Sequence, residues 1–594
     1  MKNNSNNPIE EVINAIKKDT VGITGSPSTT LEIALDISEK SETSRALGQM
    51  VFVWQKEDGR NILSLGQIVG VTTKNRWHED PSFKGVIKRH GSLPNLSGVA
   101  DNRLAVMSVQ SSFDCRTEKP ISHILGVSPT TGNETYKMNN NVMGNLVKHL
   151  GKAITYIGRI YGTDNVDLPM HFKHFGKDEE GIPGLGARDA YHIGVFGKTG
   201  SGKTETAARM LLAYAKNNKS MNILVLDPQA QFARDNQLLE GEYKFHDQIR
   251  KADMSIRSYN LINKTFLPGK TEEDMSLFSK LLIINKFILT ASGITPVDRQ
   301  EDLANCIKRY LTERRIDLSK QKPVVLLKEM LDRFLDPEGD KEDYLKSVYS
   351  QKKRRDDLHD HMRRFRNSIE ESEDEYLTER WREVFKLFSN EGKSKISIDD
   401  IVEEIVGDEK GKFIVLDTSA GKRENENMQA LFLNVIERRI AEAGENLYAE
   451  GKMANCLIVM DEAHRYVNRK SSDEYVRELS GQIIDAVRTT RKFGIGHMFI
   501  TQSLESMDDE IIKQMRIFAF GFGLTFGSEI KKIRELIDNE AALKLYKSFI
   551  DPGNRNEYPF MFYGPVSPLS ATCAPLFVEI YNKYEDFINK NKDK

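Results

Sequence analysis

The chain has 594 residues, enough for two to four domains, and 39 % of them are hydrophobic, ample for a sizeable core. A formal net charge of −2 neither indicates nor excludes nucleic acid, because a local basic surface can bind DNA while the total stays near zero. Cys115, Cys306, Cys456 and Cys573 lie far apart with no Cys-x-x-Cys spacing, which argues against a disulfide framework and a zinc site and makes a reducing, cytoplasmic location the expectation. The start MKNNSNNPIEE lacks the apolar core of a signal peptide, and no stretch approaches about 18 uninterrupted apolar residues, so neither secretion nor a membrane partner is expected.

After the polar start, short β-rich runs follow one another: TTLEIALDIS, GQMVFVWQ, ILSLGQIVGVTT, RLAVMSVQSSF and AITYIGRIYG. They predict a small β-barrel followed by a lead-in. Gly-, Pro- and Asp-rich punctuation in YGTDNVDLPM and GKDEEGIPGLGARD then marks a linker. Beyond it, apolar strands alternate with helical stretches: Ile193–Phe196, Asn222–Asp227, Phe413–Asp417, Cys456–Asp461, His497–Gln502 and Ile517–Gly523. Continuous apolar runs with helices between them describe a parallel sheet buried on both faces.

The first of these strands leads into Gly197-Lys198-Thr199-Gly200-Ser201-Gly202-Lys203-Thr204, which fits G-x-x-x-x-G-K-[ST]. Glycines at that spacing let consecutive backbone N–H groups turn inward around a phosphate. Lys203 would reach the β- and γ-phosphates of ATP, Thr204 would offer its hydroxyl to Mg²⁺, and a helix over Glu205–Ala215 would aim its N-terminal dipole at the nucleotide. The alternative is a glycine-rich turn that binds nothing.

From Asn263 to Asp408 the sheet is interrupted by helical, highly charged sequence, an inserted subdomain. Its basic cluster, Lys352, Lys353, Arg354, Arg355, Arg363, Arg364 and Arg366, is followed at once by acidic residues, the pattern of a solvated helix face. His359 and His361, two apart, point to different faces of a helix and disfavour a metal pair.

Four apolar residues lead into Asp461-Glu462. Asp461 at the strand end suits the Mg²⁺ hydration shell, and Glu462, one step further, suits orientation or deprotonation of the attacking water. The competing reading makes both residues the opening acids of a helix EAHRYVNRK. The extra strand FIVLD between phosphate loop and acidic pair implies the RecA-like class of P-loop ATPases. The following strand ends in Thr501-Gln502, which makes Gln502 the candidate γ-phosphate sensor, or else a strand-end side chain satisfied by backbone. A helix over Asp473–Lys492, stopped by Gly494, carries Arg488 and Arg491 three residues apart on one face. They can fork onto a neighbouring subunit's phosphates or merely match the helix dipole.

With these motifs in place the chain resembles the HerA family, in the FtsK–HerA group of hexameric DNA-pumping ATPases. GKTGSGKT, IVMDEAH and RTTRKFGIGHMFITQS are similar to that family's nucleotide loop, acidic strand and arginine-to-sensor segment, and YIGRIYGTDNVDLPMHF to its lead-in. The resemblance implies that Gly197, Thr199, Gly200, Ser201, Gly202, Lys203 and Thr204 bind nucleotide, Thr204 and Asp461 contact the metal, Glu462 drives hydrolysis, Arg488 or Arg491 is the finger and Gln502 the sensor. Two departures stand out. A histidine-glycine-glutamate pattern usual after Asp-Pro reads Gln229-Ala230-Gln231 here, and the usual Arg-Glu-Gly-Arg-Lys reads Arg488-Thr489-Thr490-Arg491-Lys492.

The expected division is a flexible N-terminus at 1–20, barrel and lead-in at 21–170, a first part of the ATPase core at 171–262, a helical insertion at 263–408, a second core part at 409–560 and a C-terminal tail at 561–594. The expected fold is α/β: a RecA-like P-loop ATPase core with a parallel sheet, an N-terminal small β-barrel and the inserted helical subdomain. The expected activity is ATP-driven translocation on double-stranded DNA by a homohexamer, serving a separate nuclease or NAD-consuming effector in DNA-end processing or antiphage defence. The other reading is a hexameric ATP-binding scaffold that assembles and regulates such an effector without pumping DNA.

Overall fold

A computed structural model of the chain describes residues 20–592 except 118, 164, 173–189, 218–220, 235–242, 337–343, 372–375, 391–393, 420–422, 469–470, 472–473 and 556. Residues 1–19 of the expected flexible start and the whole of GKDEEGIPGLGARD lie outside the described residues. Contacts divide the chain into two units: one from 1–220, 235–254 and 496–594, the other from 221–234 and 255–495.

The first unit opens with strands β1 (Thr20–Thr24), β2 (Glu32–Ile37), β3 (Met50–Glu57), β4 (Arg60–Lys74), β5 (Asn102–Asp114), β6 (Ile121–His123) and β7 (Glu134–Lys137). They pair in the order β2-β1-β7-β3-β4-β5, and β2 pairs back onto β5 to close a barrel, with β6 added outside on β5. Alternation sets the inside: in β2 every second residue is buried, and Ile33, Leu35 and Ile37 join Val21, Val51, Val53, Ile68, Met107 and Val109 in one core. The β4–β5 register shifts between Leu65 and Gly66 and again between Ile68 and Gly70, irregularities that bend two long strands enough for closure.

The same unit holds a sheet in the order Ile495–Thr501, His192–Phe196, Met515–Phe520, Tyr558–Tyr563, Leu576–Ile580, Ile154–Ile160, Asp167–His171. The first three strands are parallel, as the buried apolar runs predict. The remainder is antiparallel, which they do not. Ile154–Ile160, grouped by sequence with the barrel lead-in, pairs with Leu576–Ile580, a strand from the segment expected to be a tail; the chain then ends in a helix, Tyr584–Asn591. Barrel and sheet of this unit are tied by buried amides. Gln67 donates to the carbonyls of Gly48 and Phe577 at 3.0 Å each and accepts from the Phe577 N–H at 2.8 Å, while Gln110 donates to the Pro575 carbonyl at 2.6 Å. Such groups are buried without loss only because each finds a partner.

The second unit holds four parallel strands in the order Ser255–Asn260, Lys412–Asp417, Asn222–Asp227, Cys456–Met460. Between the first two lies the charged helical insertion: Glu272–Ile284, Phe287–Ser292, Val297–Glu313, Pro323–Leu335, Lys352–Glu371, Tyr376–Phe385 and Ile398–Val406. Its core is aromatic, with Trp381 and Phe278 edge to face at 5.1 Å and Phe287 tilted against Trp381 at the same distance. The helix carrying the basic cluster buries Leu358, Met362, Phe365 and Ile369 at helical spacing and turns its charges outward. Arg366 pairs with Asp332 at 2.7 Å and Glu370 at 2.8 Å, in keeping with a solvated face. His361 is packed against Gly293. Among the described residues no group of three or more His, Cys, Asp or Glu is placed to hold a metal ion, and no helix is long and apolar enough to cross a membrane.

Candidate nucleotide site

In the first unit the phosphate loop leaves the fully buried strand His192–Phe196 and enters a helix that runs Lys203–Asn217, longer by two residues at each end than sequence predicts. Gly200 and Gly202 adopt φ of 81° and 82°, a conformation that strains any residue with a Cβ, and this turns the loop back on itself. The loop is fixed to its neighbour strand: the Gly521 N–H donates to the Phe196 carbonyl at 2.7 Å and the Lys198 N–H to the Phe522 carbonyl at 3.0 Å. The Lys203 ammonium curls over the loop and donates to the Lys198 carbonyl at 3.1 Å. The Ser201 hydroxyl is buried with no hydrogen-bond partner among the described residues. A buried orphan donor costs about 1–3 kcal/mol unless a ligand satisfies it, so the cradle suits an anion. Thr204 stands half-exposed in the first helical turn, where its hydroxyl is available to a hard cation.

Gln502 follows the last residue of strand Ile495–Thr501. It contacts the loop directly: the Thr199 hydroxyl donates to its Oε1 at 2.9 Å. A second link between the two strands is internal, where the His497 N–H donates to Nδ1 of the fully buried His192 at 3.1 Å. That bond fixes the proton of a neutral His192 on Nε2.

In the second unit Asp461 and Glu462 follow directly on the strand Cys456–Met460, and both are buried, at 2 % and 8 % exposure. The helix proposed as their competing explanation reduces to a three-residue 3₁₀ turn, Ala463–Arg465, with Glu462 in the left-handed region at φ 47°. A turn that short has almost no dipole to compensate, and a left-handed non-glycine residue costs of order 1–3 kcal/mol, strain that clusters at functional sites.

Two neighbours hold the Glu462 carboxylate. The Gln229 amide donates to Oε1 at 3.0 Å, and Nδ1 of His464 lies 3.3 Å from Oε2. Gln231 in turn donates to the Gln229 carbonyl oxygen at 2.9 Å. The departure seen in the sequence therefore places a polar clamp on the acid. Ala230, between the two glutamines, has φ 55°, the backbone that a glycine would adopt freely. Asp227 shapes this turn by accepting the N–H groups of Gln231 at 3.0 Å and Ala233 at 2.8 Å. Burial raises its carboxyl above the ordinary value, opposed by those N–H groups and reinforced by Asp417 nearby.

Arg488 lies in the last turn of the helix Glu474–Thr489, exposed, and Arg491 lies half-buried in the 3₁₀ turn Thr490–Phe493, which ends at Gly494 with φ 82°. The expected helix thus ends in a tighter turn, and the two arginines belong to different helical types. Neither the Gln229–Glu462 contact nor the aromatic wall described below is visible as a sequence motif; only the Gln229-Ala230-Gln231 departure marks the first.

Residues 189–440 match the model of the helicase HerA central domain. No curated protein matches the chain significantly. Among solved structures the chain is similar to VirB4 of Thermoanaerobacter pseudethanolicus, at 14 % identity and a TM-score of 0.37, covering 73 % of this chain and 98 % of that one. It is also similar to the bacterial conjugative coupling protein TrwB lacking its first 70 residues, at 12 % identity and a TM-score of 0.35, covering 73 % and 89 %. A DNA-packaging ATPase, B204 from Sulfolobus Turreted Icosahedral Virus, overlaps 30 % of this chain and 70 % of its own at 18 % identity and a TM-score of 0.19. With a phosphate loop of this geometry inside the matched segment, residues 189–440 are a HerA-type central domain, and the chain that carries them is a P-loop ATPase.

Proposed function

We propose that the protein is an ATP-driven, ring-forming translocase on double-stranded DNA, a homohexamer that serves a separate nuclease or NAD-consuming effector in DNA-end processing or antiphage defence. The observation that carries this reading is the match of residues 189–440 to a helicase central domain. In it, the turned-in loop 197–202 cradles the phosphates of ATP, Lys203 leaves the Lys198 carbonyl to neutralise them, and Ser201 gains the acceptor it lacks. Gln502, already bonded to Thr199, senses the γ-phosphate. Glu462 takes a proton from the attacking water once Gln229 releases it. Thr204 and Asp461 supply oxygen donors of the hard type that Mg²⁺ prefers, and the ion would neutralise charge developing on the phosphates. Arg488 or Arg491 completes the site of an adjacent subunit.

ATP turnover measured with and without duplex DNA tests the proposal. Lys203→Ala is expected to weaken ATP binding, and Glu462→Gln to bind ATP yet turn over at least ~100-fold more slowly, the scale of a lost general base. Wild-type turnover should rise with duplex DNA, and that rise should fade steeply with salt as phosphate contacts are screened. Turnover indifferent to DNA would replace the motor with an ATP-controlled scaffold, and unchanged turnover in Glu462→Gln would remove that residue from catalysis.

A further inference from the structure

Beside the phosphate loop, within the first unit, lies a cleft that none of the roles above uses. It is lined by Gly202, Thr206 and Arg209 from the loop and its helix, by Tyr558 at the start of strand Tyr558–Tyr563, and by Asn582 and Tyr584 after strand Leu576–Ile580. The Tyr558 ring lies directly over Gly202: a Cβ on that residue would sit 2.6 Å from the ring's Cδ1, so only glycine allows this approach. The opposite wall is braced. Arg209, 3 % exposed, donates to the Glu205 carbonyl at 3.0 Å and to its carboxylate at 2.8 Å, and stacks its guanidinium over the Tyr584 ring at 5.9 Å. Thr206 is fully buried, yet its hydroxyl has no hydrogen-bond partner among the described residues. A polar group shut away from water at a cleft wall, with nothing to bond, is a vacancy for a ligand atom. Asn582 is exposed on the rim and carries a donor and an acceptor side by side.

We infer that this cleft seats the nucleoside half of the nucleotide, a purine base and its ribose. The inference rests on the reading of loop 197–204 as a phosphate cradle. A nucleotide whose phosphates lie on that loop must run its sugar and base past the first helical turn, which is where the cleft opens. With about 80 Å³ the cleft is too small to engulf a purine, so the base lies along the Tyr558 face across the mouth. The Thr206 hydroxyl gains an acceptor from the nucleoside, and the Asn582 amide borders the base edge.

The test is titration calorimetry of the full chain with magnesium and two probes, ADP and inorganic pyrophosphate, against wild type, Tyr558→Ala and Tyr558→Phe. Stacking of a base on an aromatic ring predicts that Tyr558→Ala weakens ADP about 5- to 150-fold, while pyrophosphate binds as in wild type and Tyr558→Phe stays close to wild type for both. Equal weakening of both probes would make Tyr558 a support for the loop and overturn the subsite, as would an unchanged ADP affinity in Tyr558→Ala. Wild type binding ADP no more tightly than pyrophosphate would overturn the subsite while leaving the phosphate loop standing. Wild type binding neither would remove both readings together.

Discussion

Gln502→Ala separates a structural contact from a catalytic one. In the resting protein the residue accepts one hydrogen bond, from the Thr199 hydroxyl at 2.9 Å, and that contact is exposed. A neutral bond in such a setting is worth at most about 0.5–1.5 kcal/mol, so if Gln502 merely steadies the loop, turnover falls no more than about tenfold. If its amide faces charge developing on the γ-phosphate, the loss belongs to the class of a missing transition-state donor, about 2.7–4 kcal/mol, or 10²–10³ in kcat. Thr199→Val is the control, because it deletes the same bond from the other side and leaves the amide in place. The expected outcome is a kcat at least ~100-fold lower in Gln502→Ala with KM for ATP nearly unchanged, and a loss below about tenfold in Thr199→Val. Steady-state turnover over a range of ATP concentrations, on particles of matched mass, reads both. Equal, small losses in the two variants would refute the sensor role and return Gln502 to a loop-steadying side chain.

A second prediction concerns Arg491, taken to act across a subunit interface. Arg491→Ala alone should lose ~10³ in turnover, the scale of an arginine finger, and mixing it with Lys203→Ala subunits should restore part of it, since some mixed interfaces join an intact loop to an intact arginine. Proven mixing without recovery sinks the idea and moves the test to Arg488. A third concerns acid stability. Burial holds the His171 imidazole down to about 4, against a hydrogen bond to the Pro565 carbonyl that favours the charged form. The unfolded chain, with an ordinary histidine near 6.5, binds the extra proton between these values, so His171 leaves stability intact above about pH 6.5 and lowers it as pH falls towards 4, by about 3 kcal/mol at most. Denaturant midpoints for wild type and His171→Gln at pH 7.5 and 4.5 should converge at the lower pH; parallel curves would show that His171 is not the group titrating.

Much of the fold is legible because it is written locally. Alternation marks the barrel strands, unbroken apolar runs mark His192–Phe196 and Cys456–Met460, and glycine spacing marks the phosphate loop. What escapes is written in pairings between distant residues. YPFMFY and LFVEI carry no signal that they extend the phosphate-loop sheet in the antiparallel sense, since partner choice depends on which edge the chain happens to reach. The same holds at the site. Asp461 and Glu462 announce themselves by following an apolar strand, whereas the amide that grips Glu462 lies 233 positions away, in a turn known from sequence only as a departure from pattern. The short turn at Ala463–Arg465 likewise had to be seen, because EAHRYVNRK has helix-compatible composition and only tertiary context cuts it off.

The strand order around the phosphate loop sets a timetable for synthesis. Strand His192–Phe196 has two neighbours, Ile495–Thr501 and Met515–Phe520, and both leave the ribosome some three hundred residues after it. At translation speeds of about 5–20 residues per second the loop waits roughly 15–60 s without either flank, while the barrel before it already has every strand needed to close. A nascent chain, or one cut short before residue 495, therefore carries the whole phosphate-binding sequence and no sheet to hold it. Nucleotide binding becomes a property of finished molecules only, which keeps half-made chains from drawing on ATP.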